Sequence, residues 1–148
     1  MTKEVGSDKK REMLISEELG LKGERGAIAD RLAITRSFWE FWRVSKFLET
    51  PGVGRLGGVR GFEPWPHLLE LGKVILGERL IVLIKPKQIG VSWLLADLVL
   101  WEAVTRGGSM QLIYSKGEEE AKEFLRKVRV LYEYLPEHLK LKLDPDSV

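Results

Sequence analysis

The sequence predicts an α/β fold in which a parallel sheet is flanked by helices, and three observations support this prediction. A continuous aliphatic run, 80–84, has the composition of a strand that is buried on both faces, and 110–114 is expected to form a second short strand. A nearly all-apolar helical segment, 92–106, lies between them. Strand, helix and strand in that order are typical of a right-handed parallel crossover. Because two strands cannot complete such a sheet, we expect the sheet to be incomplete within this chain.

Length, charge and composition limit the classes of function that fit. The chain has 148 residues, enough for one domain, and its 24 basic and 22 acidic side chains give a net charge of only +2. This balance is too even to indicate nucleic-acid binding from charge alone. The chain has no cysteine and its two histidines, His67 and His138, lie far apart, so a metal centre built from such ligands is not expected. With no long apolar run and no signal peptide, we expect a soluble intracellular protein that has no membrane contact.

The N-terminal part divides into a lead and a linker. Residues 1–36 are expected to form a polar lead, partly disordered, that becomes weakly helical after residue 12. Residues 37–61 are expected to form an aromatic helix and a glycine-rich linker. Ser37 and Glu40 have the spacing of a capping box, and Phe38, Phe41, Trp42 and Leu48 follow at helical spacing. Such a stripe can stack on bases, but it is more often part of a core.

The region 62–148 carries the predicted strands and three further helices. Pro66 suits the first turn of a helix that ends near Gly77. Another capping box, formed by Ser115 and Glu118, is expected to begin an amphipathic helix over 117–134. The outer face of that helix is basic, which fits either a nucleic-acid interface or an ordinary solvated face: Lys122, Arg126, Lys127 and Arg129.

The loop that follows the first predicted strand has the features of a phosphate cradle. Its sequence is Lys85-Pro86-Lys87-Gln88-Ile89-Gly90-Val91-Ser92. The N–H groups of such a turn and of the next helix converge on one point, where the helix dipole favours negative charge. The loop departs from the G-x-x-x-x-G-K-[ST] pattern, because Lys85 replaces the first glycine and Val91 replaces the lysine. Ser92 would bind Mg²⁺ through its hydroxyl, and either Lys85 or Lys87 would supply the missing cation.

Three segments in this order resemble the N-terminal ATPase domain of the large terminase subunit of tailed phages. They are Phe62-Glu63-x-Trp65-Pro66, then Lys85-x-Lys87-Gln88-Ile89-Gly90-x-Ser92-Trp93, and the stretch from Ser115 to Pro136. The resemblance implies a P-loop NTPase of the ASCE/RecA-like kind, in which ATP and Mg²⁺ drive double-stranded DNA into a procapsid. It also implies a small terminase subunit and a portal protein as partners, assembly into a homo-oligomeric ring, and a location in the host cytoplasm.

The resemblance also implies roles for individual residues. It makes Lys85 the displaced phosphate lysine and Lys87 a supporting cation, both counted as catalytic. The nucleotide would contact the loop residues Gln88, Ile89, Gly90, Val91 and Ser92 together with Trp65 and His67. Leu68 stands where the family commonly has the glutamine that reads adenine, so His67 is at best a substitute. No aliphatic strand ending in Asp-Glu follows, so we expect an N-terminal part of the ATPase domain without Walker B or nuclease residues, and no turnover by this chain alone.

Two other classes of function remain open. The chain would be a non-enzymatic DNA-binding or adaptor protein if the loop were vestigial and the basic face of the last helix bound DNA. It would alternatively be another P-loop ATPase of the helicase type, although the Trp65-Pro66 segment before the loop argues against that class.

Overall fold

The computed structural model describes residues 5–49, 57–63 and 65–141, and these residues are mostly helical. Helix α1 spans Val5–Arg36 and helix α2 spans Phe38–Val44. Strands β1 (Lys46–Glu49) and β2 (Gly58–Gly61) form an antiparallel pair with Lys46 opposite Gly61. Helices α3 (Pro66–Gly77), α4 (Val91–Thr105) and α5 (Glu118–Glu133) follow, and a 3₁₀ turn spans Glu137–Leu139.

The core forms where α2, α4 and α5 meet. Helix α4 is apolar around most of its circumference, and α5 contributes the fully buried Leu131. Trp101 ties this core to the end of α1, because its Nε1–H donates to the carbonyl oxygen of Ile34 at 2.7 Å. The indole of Trp39 lies against α3 so closely that a Cβ at Gly72 would come within 2.5 Å of it. The helices therefore pack into one core whose centre is α4.

A chain of aromatic contacts connects this core to the first turn of α4. Trp39 stacks on Trp42 with ring centroids 5.1 Å apart, and Trp42 meets Phe62 edge-on at 5.4 Å. Phe62 stacks on Phe47 of β1 at 4.9 Å, and Phe47 lies 5.7 Å from Trp93. The aromatic residues thus fix β1 and the start of α4 relative to α2.

The predicted parallel sheet is wrong. Among the described residues, the only paired strands are β1 and β2, and they are antiparallel. The two aliphatic runs belong to neither a helix nor a strand, and their side chains are largely exposed, with 87% for Leu80, 96% for Ile84 and 77% for Met110. The physical reason is that an extended segment needs a neighbouring strand to bond its N–H and C=O groups, and neither run has such a neighbour in the described part of the chain.

Several local predictions can also be compared with the structure. Helix α3 begins at Pro66 and ends at Gly77 as predicted. Ser37 occupies the N-cap position of α2, but its side chain makes no capping hydrogen bond. The capping box at Ser115 is wrong, because α5 begins at Glu118 after Gly117. Leu48 lies in β1 rather than on the aromatic helix. Most of the predicted glycine-rich linker, residues 50–56, lies outside the described residues.

Candidate functional site

The loop before α4 makes a tight turn that ends at the helix N-terminus. Gln88 has φ +62° and Gly90 has φ +80°, which places both in the left-handed region. Such a conformation is uncommon for a residue other than glycine, and it is concentrated at functional sites. Gly90 is the N-cap of α4, and its carbonyl oxygen accepts from the N–H groups of Trp93 and Leu94. The N–H groups of Val91 and Ser92, in the first turn, have no carbonyl of α4 to bind and remain suited to an anion.

The Trp-Pro segment packs against this loop and fixes its shape. The Nε2–H of His67 donates to the carbonyl oxygen of Ile89, with 2.9 Å between the two atoms. A Cβ at Gly90 would lie 3.1 Å from the side chain of Leu68 and 3.4 Å from the ring of Trp65. Gly90 therefore satisfies two requirements, a positive φ and close contact with the segment that begins α3.

A cavity of about 640 Å³ opens beside the loop. This volume lies within the range of small-molecule and cofactor sites, roughly 300–1,000 Å³. The loop with the first turn of α4, the β1–β2 hairpin and α5 all contribute to its lining. Its apolar surface is largely aromatic, with contributions from Phe47, Phe62, Trp65 and Trp93. The cavity thus joins an aromatic surface to the helix N-terminus.

The cations and carboxylates of the cavity wall are mostly paired with each other. Arg60 binds Glu49 at 2.8 Å, and Lys127 binds Glu123 at 2.8 Å. Glu63 accepts a hydrogen bond from Trp65 Nε1 at 3.0 Å. The Lys127 ammonium, with Arg126 beside it, holds the pKa of Glu123 below its ordinary value.

Lys85 differs from the other cations of the cavity. Its Nζ reaches only the carbonyl oxygen of Pro86, at 3.5 Å, and it has no carboxylate partner among the described residues. An ammonium that faces a cavity without a counter-ion is available to an incoming anion. Lys85 is therefore the side chain of the loop best placed to bind one.

The structure brings most of the predicted site residues to this cavity. Seven of them line it: Trp65, Lys85, Gln88, Ile89, Gly90, Val91 and Ser92. Two do not. Lys87 is exposed and lies outside the lining, and His67, which also lies outside it, contacts the loop through the carbonyl oxygen of Ile89. The buried side chain of Val91, 2% exposed, belongs to the core, so this position presents only its backbone to a ligand.

Sequence reasoning missed the far walls of the cavity. Phe47, Arg60, Glu123 and Lys127 line it. Arg60 was placed in the glycine-rich linker, and no role was predicted for Phe47 or Glu123. Lys127 was assigned to the outer face of the last helix. Its spacing contained a signal that it lies nearer the core, because it is three residues after Phe124 and four before Leu131, both on the buried side.

One buried carboxylate lies outside the cavity. Asp97 of α4 is fully buried, and neither of its oxygens has a hydrogen-bond donor among the described residues. Burial raises the pKa of Asp97 to about 7, and the nearby Ser45 hydroxyl offsets part of this shift. That hydroxyl donates to the carbonyl oxygen of Phe41 at 3.1 Å. Ionisation of Asp97 would therefore place an unpaired charge inside the core.

The described residues contain no cluster of three or more histidine and acidic side chains that could hold a metal by itself. A magnesium ion at the loop would depend on the Ser92 hydroxyl, which lines the cavity, and on oxygens of the bound anion.

Among the described residues, no helix has both the length and the apolarity needed to cross a membrane. Comparisons of the chain with protein-family models, curated proteins and solved structures find no match.

Proposed function

We propose that loop 85–92 binds the phosphates of ATP and that the chain is the nucleotide-binding part of a viral DNA-packaging motor of the large-terminase kind. The observation that carries the proposal is the meeting of three features at one cavity: a left-handed turn, the N-terminus of α4 and the unpaired ammonium of Lys85. The resemblance of segments 62–66, 85–93 and 115–136 to the terminase family supports the choice of ATP and of DNA packaging.

Each part of the cavity has a chemical role in this proposal. The N–H groups of Val91 and Ser92 and the dipole of α4 stabilise phosphate charge, and Lys85 neutralises part of it. The Ser92 hydroxyl would hold Mg²⁺, which supplies further charge stabilisation when it is bound. Trp65, which is 38% exposed, offers an aromatic surface to the base. His67 fixes the loop through Ile89 and does not itself reach the ligand.

Binding without turnover is expected of this chain. The carboxylates in the cavity wall, Glu49, Glu63 and Glu123, are engaged with Arg60, Trp65 and Lys127 respectively. In the terminase family the catalytic carboxylates follow an aliphatic strand that ends in Asp-Glu, and this sequence has no such strand. Sustained ATP hydrolysis by this chain would contradict the assignment.

The wider context follows from the family resemblance and is part of the same proposal. The motor would act in the host cytoplasm on double-stranded DNA, as a homo-oligomeric ring, with a small terminase subunit and a portal protein as partners. The alternative function, a non-enzymatic DNA-binding or adaptor protein, requires a basic outer face on α5. That face has less free charge than the sequence suggests, because Lys122 binds Glu118 at 2.7 Å and Arg126 pairs with Glu123.

The test compares two lysines of one loop. Calorimetric titration with the magnesium complex of a non-hydrolysable ATP analogue should give a Kd about tenfold or more weaker for Lys85→Met, since a hydrogen bond to a charged group is lost. Lys87→Met is the matched control and should change the Kd by less than about threefold, because its side chain lies outside the cavity. Equal Kd values for wild type and Lys85→Met would overturn the proposal. It would also be overturned if Lys85→Met bound the analogue normally but lost DNA binding.

A further inference from the structure

The charge of a bound polyphosphate is not balanced by the loop alone. Val91 occupies the position where a phosphate lysine is usual, but its side chain is in the core. Lys87 lies outside the cavity, so Lys85 is the one ammonium that the loop directs to it. A triphosphate carries several negative charges, and anions of this kind are bound by more than one cation or donor. Mg²⁺ at Ser92 would offset part of the remaining charge, and a basic side chain of another element that lines the cavity would supply more.

Lys127 of α5 is placed to be that cation. It lines the same cavity as Lys85, Gly90 and Ser92. Its side chain is only 20% exposed, and its Nζ lies 5.8 Å from the centre of the Trp93 ring. Trp93 directly follows Ser92, and Phe47 packs on it from the hairpin at 5.7 Å. The stem of Lys127 is thus held beside the first turn of α4 before any ligand arrives.

The present partner of Lys127 does not prevent such a role. Glu123 binds Lys127 at 2.8 Å, but it also pairs with Arg126. If the ammonium of Lys127 moves toward an anion, Arg126 stays on Glu123 and the carboxylate is not left alone. Glu123 is itself half exposed, so water can complete its hydrogen bonds.

We propose that Lys127 is a second phosphate-binding residue, which contacts the bound polyphosphate from α5 while Lys85 contacts it from the loop. The inference rests on the proposed function and deepens it. It places the phosphate-binding lysines on two elements, the loop before α4 and helix α5, which the packing of α4 against α5 holds together. The cavity would therefore bind a ligand with a chain of phosphates more tightly than a ligand with a single phosphate.

The experiment measures the Kd of the magnesium-bound ATP analogue and of AMP by calorimetry for three variants of Lys127 and its surroundings. Lys127→Met removes the charge and keeps an apolar stem over Trp93. Lys127→Arg restores the charge. Lys122→Met is the matched control on the same helix, since Lys122 is paired with Glu118 and Glu119 and does not line the cavity.

We expect Lys127→Met to weaken binding of the triphosphate about tenfold and binding of AMP by less than about twofold, since a charged hydrogen bond to the distal phosphates is lost. Lys127→Arg should recover most of the affinity, and Lys122→Met should match wild type. Equal weakening for both ligands would give Lys127 a packing role only and overturn the inference. An unchanged Lys127→Met beside a weakened Lys85→Met would also overturn it and leave the proposed function standing. No triphosphate binding by wild type would refute both.

Discussion

Helix α4 and segments 80–84 and 110–114, which lie outside helices and strands, are all rich in aliphatic residues, but they differ in burial. Leu94, Ala96 and Leu100 of α4 are at most 4% exposed, whereas Leu80 and Val82 are each 87% exposed. The difference lies in the backbone. A helix bonds its own N–H and C=O groups and needs neighbours only for its side chains, whereas an extended segment needs a second strand for its backbone as well. Apolar sequence alone therefore does not determine which segments are buried.

The largest expected effect is on the helical side of this comparison. Phe41 of α2 has no exposed surface and lies in the core cluster. Phe41→Ala should lower the free energy of unfolding by about 3–5 kcal/mol, because it removes a large buried ring and leaves a cavity. Urea denaturation followed by circular dichroism would measure the loss. A change below about 1 kcal/mol would mean that the helical core collapses readily around the gap, contrary to its close packing.

The second effect depends on pH, and it comes from Asp97 in α4. Its pKa is raised from 3.8 to about 7, so between these values the folded state holds a proton that the unfolded state has lost. The contribution of Asp97 to the free energy of unfolding therefore falls as pH rises from 3.8 to about 7. Above about pH 7, the full cost of the buried charge is present. The asparagine of Asp97→Asn cannot ionise, so the free energy of unfolding of this variant lacks that dependence on pH.

Unfolding of wild type and Asp97→Asn should be compared at about pH 5 and about pH 8. The stability of the variant relative to wild type should rise by roughly 3 kcal/mol between these two conditions, since each pKa unit corresponds to about 1.4 kcal/mol. Glu102→Gln, on the same helix and with its carboxylate ion-paired with Arg106, serves as the control for general charge effects. A relative stability that is constant with pH would contradict the buried, unpaired carboxylate.

The smallest effect is expected in the exposed segment 80–84. Ile84 is 96% exposed, so Ile84→Ala should change the free energy of unfolding by no more than about 0.5 kcal/mol. The same denaturation assay measures it, with Phe41→Ala as the reference for a buried apolar residue. A loss of about 2 kcal/mol or more would show that segment 80–84 packs in solution, and the comparison between the two regions would fail.

The same comparison explains how much of the fold the sequence predicts. Helices α3, α4 and α5 were predicted close to their observed bounds, because periodicity and Pro66 are local signals. The parallel sheet was inferred from aliphatic runs, and strand pairing is not local, so the inference was wrong. The antiparallel pairing of β1 with β2 was not anticipated, since Leu48 had been placed on a helical stripe.

The candidate site divides in the same way. The loop could be located from its order of strand-like run, glycine and serine, and most of its predicted residues line the cavity. The position of Lys127 in the cavity wall was not predicted, because it depends on how α5 packs beside Trp93. The two lysines of the loop could not be separated by sequence spacing. Their difference appears only in the conformation, where Lys85 lines the cavity and Lys87 does not.

Amide NMR can detect a nucleoside triphosphate bound at the start of α4 residue by residue. In a titration of the isotope-labelled chain with the magnesium-bound ATP analogue, the amide signals of Gln88 to Ser92 should shift and saturate together, because their N–H groups would contact phosphate. Signals of the exposed segment 110–114 should stay in place and serve as the internal control. Saturable shifts confined to other parts of the chain, or none at all, would contradict the account.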